Sequence, residues 1–204
     1  MEVAKIYDKI AIDFSHTRYS VWPSVKAFVD DLPSNQLIGD IGCGNGKNML
    51  YRTSDTHYLG VDISQEMVKI CKSRGLDVLH GNITNIPILT AQLDGVMSIA
   101  VIHHLADRNA RILAISELAR ITRKGGKILL YVWALRQPED SKRQFTSPDE
   151  MVSFKNRDGS VYYRYYHLYI DNELDNEVAE VASLTICKLW YEKGNYVCIA
   201  EKNT

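Results

Sequence analysis

A short apolar stretch that runs into three alternating glycines constrains this chain more than any other feature. Residues 37–46 read Leu-Ile-Gly-Asp-Ile-Gly-Cys-Gly-Asn-Gly, and we predict a strand over residues 37–42 and a helix over residues 47–53. Glycine at every second position allows a tight turn with positive φ and removes the Cβ atoms that would keep a ligand away from the backbone amides. The sequence therefore predicts a nucleotide-type binding loop. A tight turn without a ligand is the alternative interpretation.

An acidic residue follows this loop at the distance that one β-α-β unit requires. Asp62 ends a second apolar strand, which we predict over residues 57–61. A carboxylate in this position can accept both hydroxyl groups of a ribose. The alternative role is the N-cap of a helix predicted over residues 64–73, although Ser64 is the better placed cap. The glycine spacing is G-x-G-x-G, tighter than in dinucleotide folds and usual in methyltransferases that use S-adenosyl-L-methionine.

Predicted strands and helices alternate along most of the chain, which indicates a parallel sheet covered by helices on both faces. The further elements of this pattern are strands at residues 76–80, 93–99 and 127–133 and a helix at residues 107–122. The glycine pair Gly125-Gly126 should stop that helix.

Ligands of such sheets lie at the carboxyl ends of the strands. Residues that follow the strands are therefore the binding candidates, with Asn82 suited to an adenine edge and Ile83 to its face. The expected S-adenosyl-L-methionine site comprises Asp40, Gly42, Gly44, Asn45, Gly46, Asp62, Ile63, Asn82, Ile83 and Ala100.

Two helices predicted over residues 3–14 and 22–31 form an N-terminal helical cap, residues 1–31. The connection between them carries His16, Arg18 and Tyr19 just before Trp22. This polar and aromatic mixture is suited to the mouth of a substrate site, and a solvated loop with Trp22 packed at a helix start is the alternative. The first helix should pack inward through residues at helical spacing: Val3, Ile6, Tyr7, Ile10 and Phe14.

A histidine pair, His103 and His104, follows the fourth predicted strand. We reject a metal site because no carboxylate or cysteine ligands lie nearby in the sequence. Adjacent side chains here should point in different directions. One histidine is therefore expected to face the cofactor pocket and the other to pack or to cap the next helix, and the sequence leaves open which is which.

Residues 138–169 are expected to form an insertion on the substrate side. Residues 138–158 lose all periodicity and carry four basic side chains, so they are either a surface loop or a flap that faces RNA; these side chains are Lys142, Arg143, Lys155 and Arg157. Residues 162–169 then contain five of the twelve tyrosines in the chain. This aromatic density around Arg164 suits base stacking, and a strand docked over the core is the alternative.

The end of the chain completes a single domain, residues 1–204. A helix is predicted over residues 173–182 and two strands over residues 185–191 and 196–201, joined by a turn. The fold class is therefore α/β: a Rossmann-like class I methyltransferase with a mostly parallel seven-stranded sheet, a C-terminal antiparallel hairpin and an N-terminal helical cap.

Composition limits the class of protein. A chain of 204 residues with 46% hydrophobic content can bury one substantial core. It contains no run of 18 apolar residues, so we expect a soluble protein without a membrane segment, located in the cytoplasm, with a nuclear location as the open alternative. The four cysteines lack any C-x-x-C pair and are expected to be free thiols: Cys43, Cys71, Cys187 and Cys198. The net charge of −1 argues against general nucleic-acid binding, so RNA contacts require a local patch or a partner.

Several stretches resemble one family closely, the eukaryotic tRNA wobble-uridine methyltransferases that esterify 5-carboxymethyluridine. They are residues 40–47, 98–104, 128–135 and 164–168, and residues 14–18 with Trp22-Pro23 fit the N-terminal signature. Many methyltransferases share the glycine loop, whereas the I-A-V-I-H-H, V-W-A-L and R-Y-Y-H-L stretches are specific to this group. The segment between Gln137 and Tyr162 is shorter than is usual there, and Arg136 stands where the family tends to have an acid.

The resemblance implies a methyl ester formed on a carboxylate that is already ionised at pH 7, so no general base is needed. Donors that would hold the acceptor are Arg18, His103 or His104, and Arg164. Residues that would bind the flipped uridine and its surroundings are Trp22, Trp133, Tyr165 and His167. Two other functions stay open from the residues alone: a small-molecule methyltransferase, and an inactive scaffold of the same fold. The intact glycines and Asp62 argue against the scaffold.

The resemblance also implies a partner, a small zinc-binding activator protein that forms a heterodimer with the methyltransferase. The strand at residues 76–80 should lie at an open edge of the sheet and carry Leu76, Val78 and Leu79. Such an edge offers unpaired backbone groups beside apolar side chains, and a strand from the activator would cover both. Shielding by the helix at residues 64–73 is the alternative.

Overall fold

The computed structural model describes residues 2–203. The helices are α1 (Glu2–His16), α2 (Pro23–Asp30), α3 (Gln65–Ser73), α4 (Arg108–Ile121) and α5 (Glu173–Ala179). The strands are β1 (Gln36–Ile41), β2 (Thr56–Asp62), β3 (Val78–His80), β4 (Leu93–Ile99), β5 (Thr122–Trp133), β6 (Asp149–Lys155), β7 (Val161–His167), β8 (Leu184–Tyr191) and β9 (Asn195–Lys202). Two short 3₁₀ turns cover Lys47–Leu50 and Ile102–His104.

Seven strands form one sheet in the order β3-β2-β1-β4-β5-β9-β8. The pairs from β3 to β5 are parallel, and β9 is antiparallel to both β5 and β8. The predicted fold class, a mostly parallel seven-stranded sheet that ends in an antiparallel hairpin, is confirmed. β3 lies at one edge of this sheet, as the sequence predicts.

Both faces of the sheet are buried, which the central strand β5 illustrates. Its residues Ile128, Leu130 and Val132 pack into a core with α4 and α5. The alternate residues Leu129 and Tyr131 pack into a second core with α2. Because successive side chains of a strand point to opposite faces, one nearly continuous apolar run serves both cores. The carboxyl ends of the parallel strands are left as the surface on which a site can form.

One predicted helix and one predicted helix stop are wrong, although the predicted range of α4 agrees with the observed one within a residue at each end. The helix expected over residues 47–53 is only a 3₁₀ turn, because Tyr51 is extended and Arg52 adopts a positive φ of 51°, which no α-helix accommodates. The expected glycine stop after α4 is also absent. Instead Thr122 leaves the helix in an extended conformation and its hydroxyl donates to Leu118 O. Gly125 therefore lies inside β5.

The insertion contains a strand that its lack of periodicity concealed. β6 pairs with β7 as an antiparallel two-stranded sheet separate from the main one. Val152, Tyr166 and Leu168 form its buried side together with Trp133. The alternative of an ordered strand docked over the core is therefore the observed one for the tyrosine-rich segment.

A buried ion pair joins α4 to α5. Arg111 is 3% exposed and Glu177 is 0% exposed. Arg111 Nε donates to Glu177 Oε1 over 2.9 Å, and the Tyr169 hydroxyl donates to Glu177 Oε2 over 2.9 Å. Arg111 Nη2 also contacts Glu173 Oε1 at 3.1 Å. Every charge in this cluster has a partner, as burial requires.

No helix within residues 2–203 combines the length and the apolar character needed to cross a bilayer. Over the same range, no three His, Cys, Asp or Glu side chains are grouped as a metal site would require. The cysteines in this range are free.

We expect Glu177→Ala to destabilise the fold by ~3–5 kcal/mol, because it leaves the buried Arg111 cation with only Glu173 as an ionic partner. Urea unfolding followed by circular dichroism measures this difference. Glu180→Ala is the matched control, since Glu180 pairs with Arg108 on the exposed surface of the same helices. Its expected effect is ~0.2–1 kcal/mol. Equal losses for the two variants would contradict a structural role for the buried pair.

Candidate active site

A cavity opens at the carboxyl ends of β1, β2, β4 and β5, under the cover of α1. Most of the predicted site residues line it: Arg18, Trp22, Gly42, Gly44, Asn45, Asp62, Ile63, Asn82, Ile83, Ala100, His104 and Trp133. The other predicted residues lie outside its wall: Asp40, Gly46, His103, Arg164, Tyr165 and His167. Several further residues of the wall were not predicted as site residues, among them Tyr7, Phe14, Lys47 and Tyr166.

The glycine loop has the predicted conformation. Gly42, Gly44 and Gly46 all have positive φ, of 82°, 54° and 74°. A Cβ atom on Gly44 would meet no atom within 4 Å, whereas one on Gly42 would lie 2.3 Å from Val101 Cγ2. The backbone at Gly44 thus borders open space in the cavity, and a ligand can approach it closely.

Asp62 supports this loop from β2. Its Oδ2 accepts from Gly44 N over 2.7 Å and its Oδ1 accepts from Ser64 N over 2.9 Å. Ser64, not Asp62, caps α3 by accepting from Met67 N, so the N-cap alternative for Asp62 is excluded. Each carboxylate oxygen keeps lone pairs for a ligand. Burial raises the pKa of Asp62 above its ordinary value, and the two amides oppose that shift.

A second carboxylate lies beneath the loop. Asp40 is 0% exposed, accepts from Asn48 Nδ2 at Oδ2 over 3.3 Å, and has no partner for Oδ1 within the described residues. Burial raises its pKa to about 7. An unpartnered carboxylate oxygen beside a glycine cradle fits a ligand that carries positive charge.

Asn45 ties the loop to the cap. Its Nδ2 donates to Ser15 O, Ser15 Oγ and Arg18 O at 3.2, 3.2 and 2.7 Å. Its Oδ1 accepts from Lys47 N over 3.3 Å. The side chain expected to bind cofactor therefore holds the end of α1 over the cavity.

The structure distinguishes the two histidines. His104 lines the cavity, and its Nδ1 lies 2.8 Å from the carbonyl oxygen of Tyr165. Because a carbonyl only accepts, Nδ1 carries the proton and Nε2 accepts from the Tyr7 hydroxyl over 2.9 Å. Burial lowers the pKa of His104 to about 4, so it is neutral at physiological pH.

His103 lies behind the wall and is 0% exposed. Its Nδ1 accepts from Trp133 N over 3.1 Å, and its ring stacks on Tyr166 with centroids 4.6 Å apart. Burial lowers its pKa well below the ordinary value. It therefore packs, and Asp107 caps the next helix instead.

Cations and aromatic rings form the other end of the cavity. Arg18 lies 4.7 Å from the Phe14 ring centroid and Lys47 Nζ lies 4.9 Å from that of Trp22. Burial lowers the pKa of both cations. Trp22 in turn packs on Tyr131 of β5 at 4.7 Å.

Arg164 is enclosed by aromatic rings and lies outside the cavity wall. It is 2% exposed. Its Nη1 lies 3.4 Å from the Tyr7 hydroxyl, and its Nε has no partner among residues 2–203. It forms no ion pair within the same range. The rings that surround its guanidinium at 5.3–5.8 Å belong to Tyr7, Phe14, Phe154 and Tyr166.

Two residues of β7 that were predicted to bind substrate, Tyr165 and His167, do not line the cavity. Tyr165, expected to stack a base, lies on the outer side of the hairpin, where its hydroxyl donates to Asp149. The next residue, Tyr166, reaches the cavity and packs on Trp133 at 4.7 Å. His167 sits between Asp149 and Glu173, and its hydrogen bonds to both carboxylates raise its pKa despite burial. It belongs to the ion-pair cluster of Arg111.

The cavity is electrically divided. The Asp62 carboxylate ends β2 and lines the cavity, whereas Trp133 ends β5, which lies three strands from β2 in the sheet order, or about 14 Å away. Arg18 and Lys47 also line the cavity, beside the rings of Phe14 and Trp22. One end therefore suits a cation and the other a planar anion.

Comparison with known proteins agrees with this geometry. Residues 39–130 match the family described as "Methyltransferase domain". A methyltransferase from Haloferax volcanii, solved in complex with the Trm112 methyltransferase activator, has a TM-score of 0.70 at 16% identity and covers 99% of this chain and 98% of its own.

Two curated proteins resemble the chain over 98% of its length. The Xenopus tropicalis "tRNA (carboxymethyluridine(34)-5-O)-methyltransferase alkbh8" is 31% identical, but the alignment covers only 40% of that longer protein. The Schizosaccharomyces pombe "tRNA (carboxymethyluridine(34)-5-O)-methyltransferase" is 37% identical with 96% of its own length covered. Because the 37% identity with the Schizosaccharomyces pombe protein extends over nearly the full length of both proteins, the chain belongs to the tRNA (carboxymethyluridine(34)-5-O)-methyltransferase family.

Proposed function

We propose that this chain transfers a methyl group from S-adenosyl-L-methionine to the carboxylate of 5-carboxymethyluridine at the wobble position of tRNA. The observation that carries the proposal is the make-up of the cavity wall, in which the Asp62 carboxylate and the glycine loop lie three strands from Trp133 and in which Arg18 and Lys47 lie beside aromatic rings. A cationic methyl donor and an anionic, planar acceptor match these two ends. The names of the curated relatives support the same reaction.

The acidic end would hold the cofactor. Asp62 would accept from ribose hydroxyls with its remaining lone pairs, and the open backbone at Gly44 leaves room for the methionine part. Asn82 and Ile83 would border the adenine. When bound, S-adenosyl-L-methionine supplies a methyl group on a positively charged sulfur. The unpartnered Oδ1 of Asp40 supports this assignment, because a buried carboxylate gains most from a nearby positive charge.

The basic end would position the acceptor without deprotonating it. A carboxylate is ionised at neutral pH, so no general base is required. The histidines fit this requirement. His104 Nε2 is occupied by the Tyr7 hydroxyl and His103 Nδ1 by Trp133 N, so neither offers a free lone pair to a proton.

Arg18 is the residue that we propose to contact the carboxylate, since it lines the cavity. Arg164 would act from behind Tyr7. A guanidinium buried among rings without an acidic partner makes the surroundings strongly favourable for an anion, because low dielectric leaves its charge poorly screened. Trp22, Trp133 and Tyr166 would enclose the uracil ring and exclude water.

The direct test is methylation of an anticodon stem-loop RNA that carries 5-carboxymethyluridine, with the methyl ester measured by mass spectrometry. We expect kcat at saturating cofactor and RNA to stay within about twofold from about pH 6 to 9, because the acceptor and His104 do not titrate there. A tenfold rise per pH unit would instead indicate a catalytic base and a different acceptor.

Two variants separate the ends of the cavity in this assay. Gly44→Val fills the open cradle and should abolish cofactor binding in calorimetry. Arg18→Ala should keep cofactor affinity and lower RNA turnover by about 10². Loss of cofactor binding in both variants would place Arg18 at the wrong end.

Asp40 generates a prediction about pH. Its pKa of about 7 in the free protein should fall when a cation binds nearby, so binding releases a proton. Affinity for S-adenosyl-L-methionine should therefore rise as pH increases from 6 toward 7, by at most about tenfold per unit, and level off above. Calorimetry in buffers of different ionisation enthalpy measures both quantities.

Asp40→Asn should remove this dependence. S-adenosylhomocysteine, which lacks the sulfonium charge, should show a weaker one. A wild-type affinity that is unchanged between pH 6 and 8 would contradict a role for the Asp40 carboxylate in cofactor binding.

We further propose that a small zinc-binding activator protein covers the β3 edge in a heterodimer. β3 pairs only with β2 in the described sheet. Val78 is buried against α3 and Leu76 is partly buried, so these two are not the exposed edge residues that the sequence suggested. Leu79 is 38% exposed and Leu89 is 77% exposed, and both line one groove of mixed polarity beside the strand. A partner strand with an apolar side chain would cover the backbone and the groove together.

Leu79→Glu with Leu89→Glu should weaken binding of the co-expressed activator in gel filtration, because it places two charges in that groove. The isolated wild-type chain should be poorly soluble or bind cofactor weakly, and co-expression should correct both. Leu113→Glu is the control, since Leu113 is 50% exposed on α4. An activator complex undisturbed by the groove variant would refute this interface.

A further inference from the structure

A second groove adjoins the cavity at its aromatic end. Trp22 and Trp133 line both. The other side chains that shape it include Lys142, Arg143 and Lys193, and no Asp or Glu of the described residues lines it. The two tryptophans therefore border both the cavity and the groove.

The basic side chains come from two separate parts of the chain. Lys142 and Arg143 belong to the loop between β5 and β6, where Arg143 lies 5.8 Å from the Trp133 ring centroid and donates to Ser153 O over 3.1 Å. Lys193 belongs to the turn between β8 and β9. Lys142 and Lys193 are exposed and form no ion pair within residues 2–203. Their charges are free to bind an anion.

The turn that presents Lys193 is unusual. Glu192 N donates to Asn195 O over 2.8 Å and Asn195 N to Glu192 O over 3.0 Å, so the turn has two central residues. Both have positive φ, 46° at Lys193 and 82° at Gly194. Asn, Asp and Gly are favoured at the first of these positions. Lysine is disfavoured in this backbone conformation, and residues kept in disfavoured conformations cluster at functional sites.

The adjacent acid is turned away from the groove. Glu192 accepts from the Ser24 hydroxyl of α2. Its charge therefore faces the cap. The groove keeps three cations and two aromatic walls, which is the combination that binds the backbone and bases of single-stranded RNA.

We propose that this groove binds the phosphodiester backbone of the nucleotide next to the methylated uridine, with Lys142 and Lys193 as phosphate contacts. The inference rests on the proposed function, because it takes RNA as the substrate. It gives a chain of net charge −1 a local basic patch where the RNA strand has to leave the cavity.

The test measures RNA affinity of the full chain by fluorescence anisotropy at several salt concentrations. The probe is the anticodon stem-loop with 5-carboxymethyluridine. The double variant Lys142→Gln with Lys193→Gln removes two charges and keeps polar, unbranched side chains. We expect about tenfold weaker binding at ~0.1 M salt and a salt slope lower by about 1.4, or about 0.7 per lost contact with a single strand.

Lys124→Gln is the matched control. Lys124 is exposed and lies near the start of β5, at the end of the strand opposite Trp133. It should leave both quantities unchanged. A second readout is methylation of free 5-carboxymethyluridine, which has no phosphate and should be unaffected by the double variant.

These readouts separate the two proposals. An unchanged salt slope in the double variant, or an equal loss in Lys124→Gln, would overturn the groove assignment even if the ester still forms. Slower methylation of the free nucleoside by the double variant would also overturn it, because the lysines would then act on the cavity itself. Failure of the proposed function appears differently, as absence of ester on both substrates with the wild-type chain.

Discussion

The site depends on the hydrogen bonds that fasten α1 to the glycine loop. Asn45 donates to Ser15 and Arg18, and Arg74 from α3 donates to Asn45 O over 2.7 Å and to Ser15 Oγ over 3.0 Å. Asn45 and Ser15 are buried, so they cannot exchange these bonds for solvent without cost. With the end of α1 held, Tyr7 and Phe14 become cavity wall. Without it, the sheet would present only a shallow edge.

Through Tyr7, α1 also holds the residues around His104 in place. Tyr7 bonds to His104 after β4 and lies within 3.4 Å of Arg164 on β7. One hydroxyl thus joins the cap, the main sheet and the separate β6–β7 hairpin. Because His104 Nδ1 is committed to Tyr165 O, the proton positions along this path are set by the fold. Side chains from three elements are therefore placed together before any ligand arrives, which is the arrangement that catalysis by positioning requires.

The architecture could be predicted from sequence, and the orientation of individual side chains could not. The alternation of apolar strands and helices predicted the sheet, and the spacing of Gly44 and Asp62 predicted two residues that line the cavity, because both follow from local spacing. β7 shows the limit. Its period-two alternation places Tyr166 inward and Tyr165 outward, but aromatic residues on both faces hide the phase. The inward face of α1 was correctly predicted to be apolar. The sequence pattern does not show, however, that Tyr7 on this face lines a cavity and not the core.

The histidine pair and Arg164 show why chemistry-bearing residues are hard to rank from sequence. His103 and His104 are neighbours, but the 3₁₀ turn points one into the wall and the other toward the cavity. Arg164 gives no sequence signal of burial, because a charged residue between tyrosines is equally compatible with a solvated strand. Only the structure shows that Arg164 is buried among aromatic rings. Arg164 and Asp40 are buried charges of opposite sign, each with an unpartnered polar atom in the described structure. Folding has left both partly uncompensated, and a cationic donor near one with an anionic acceptor near the other would relieve both at once.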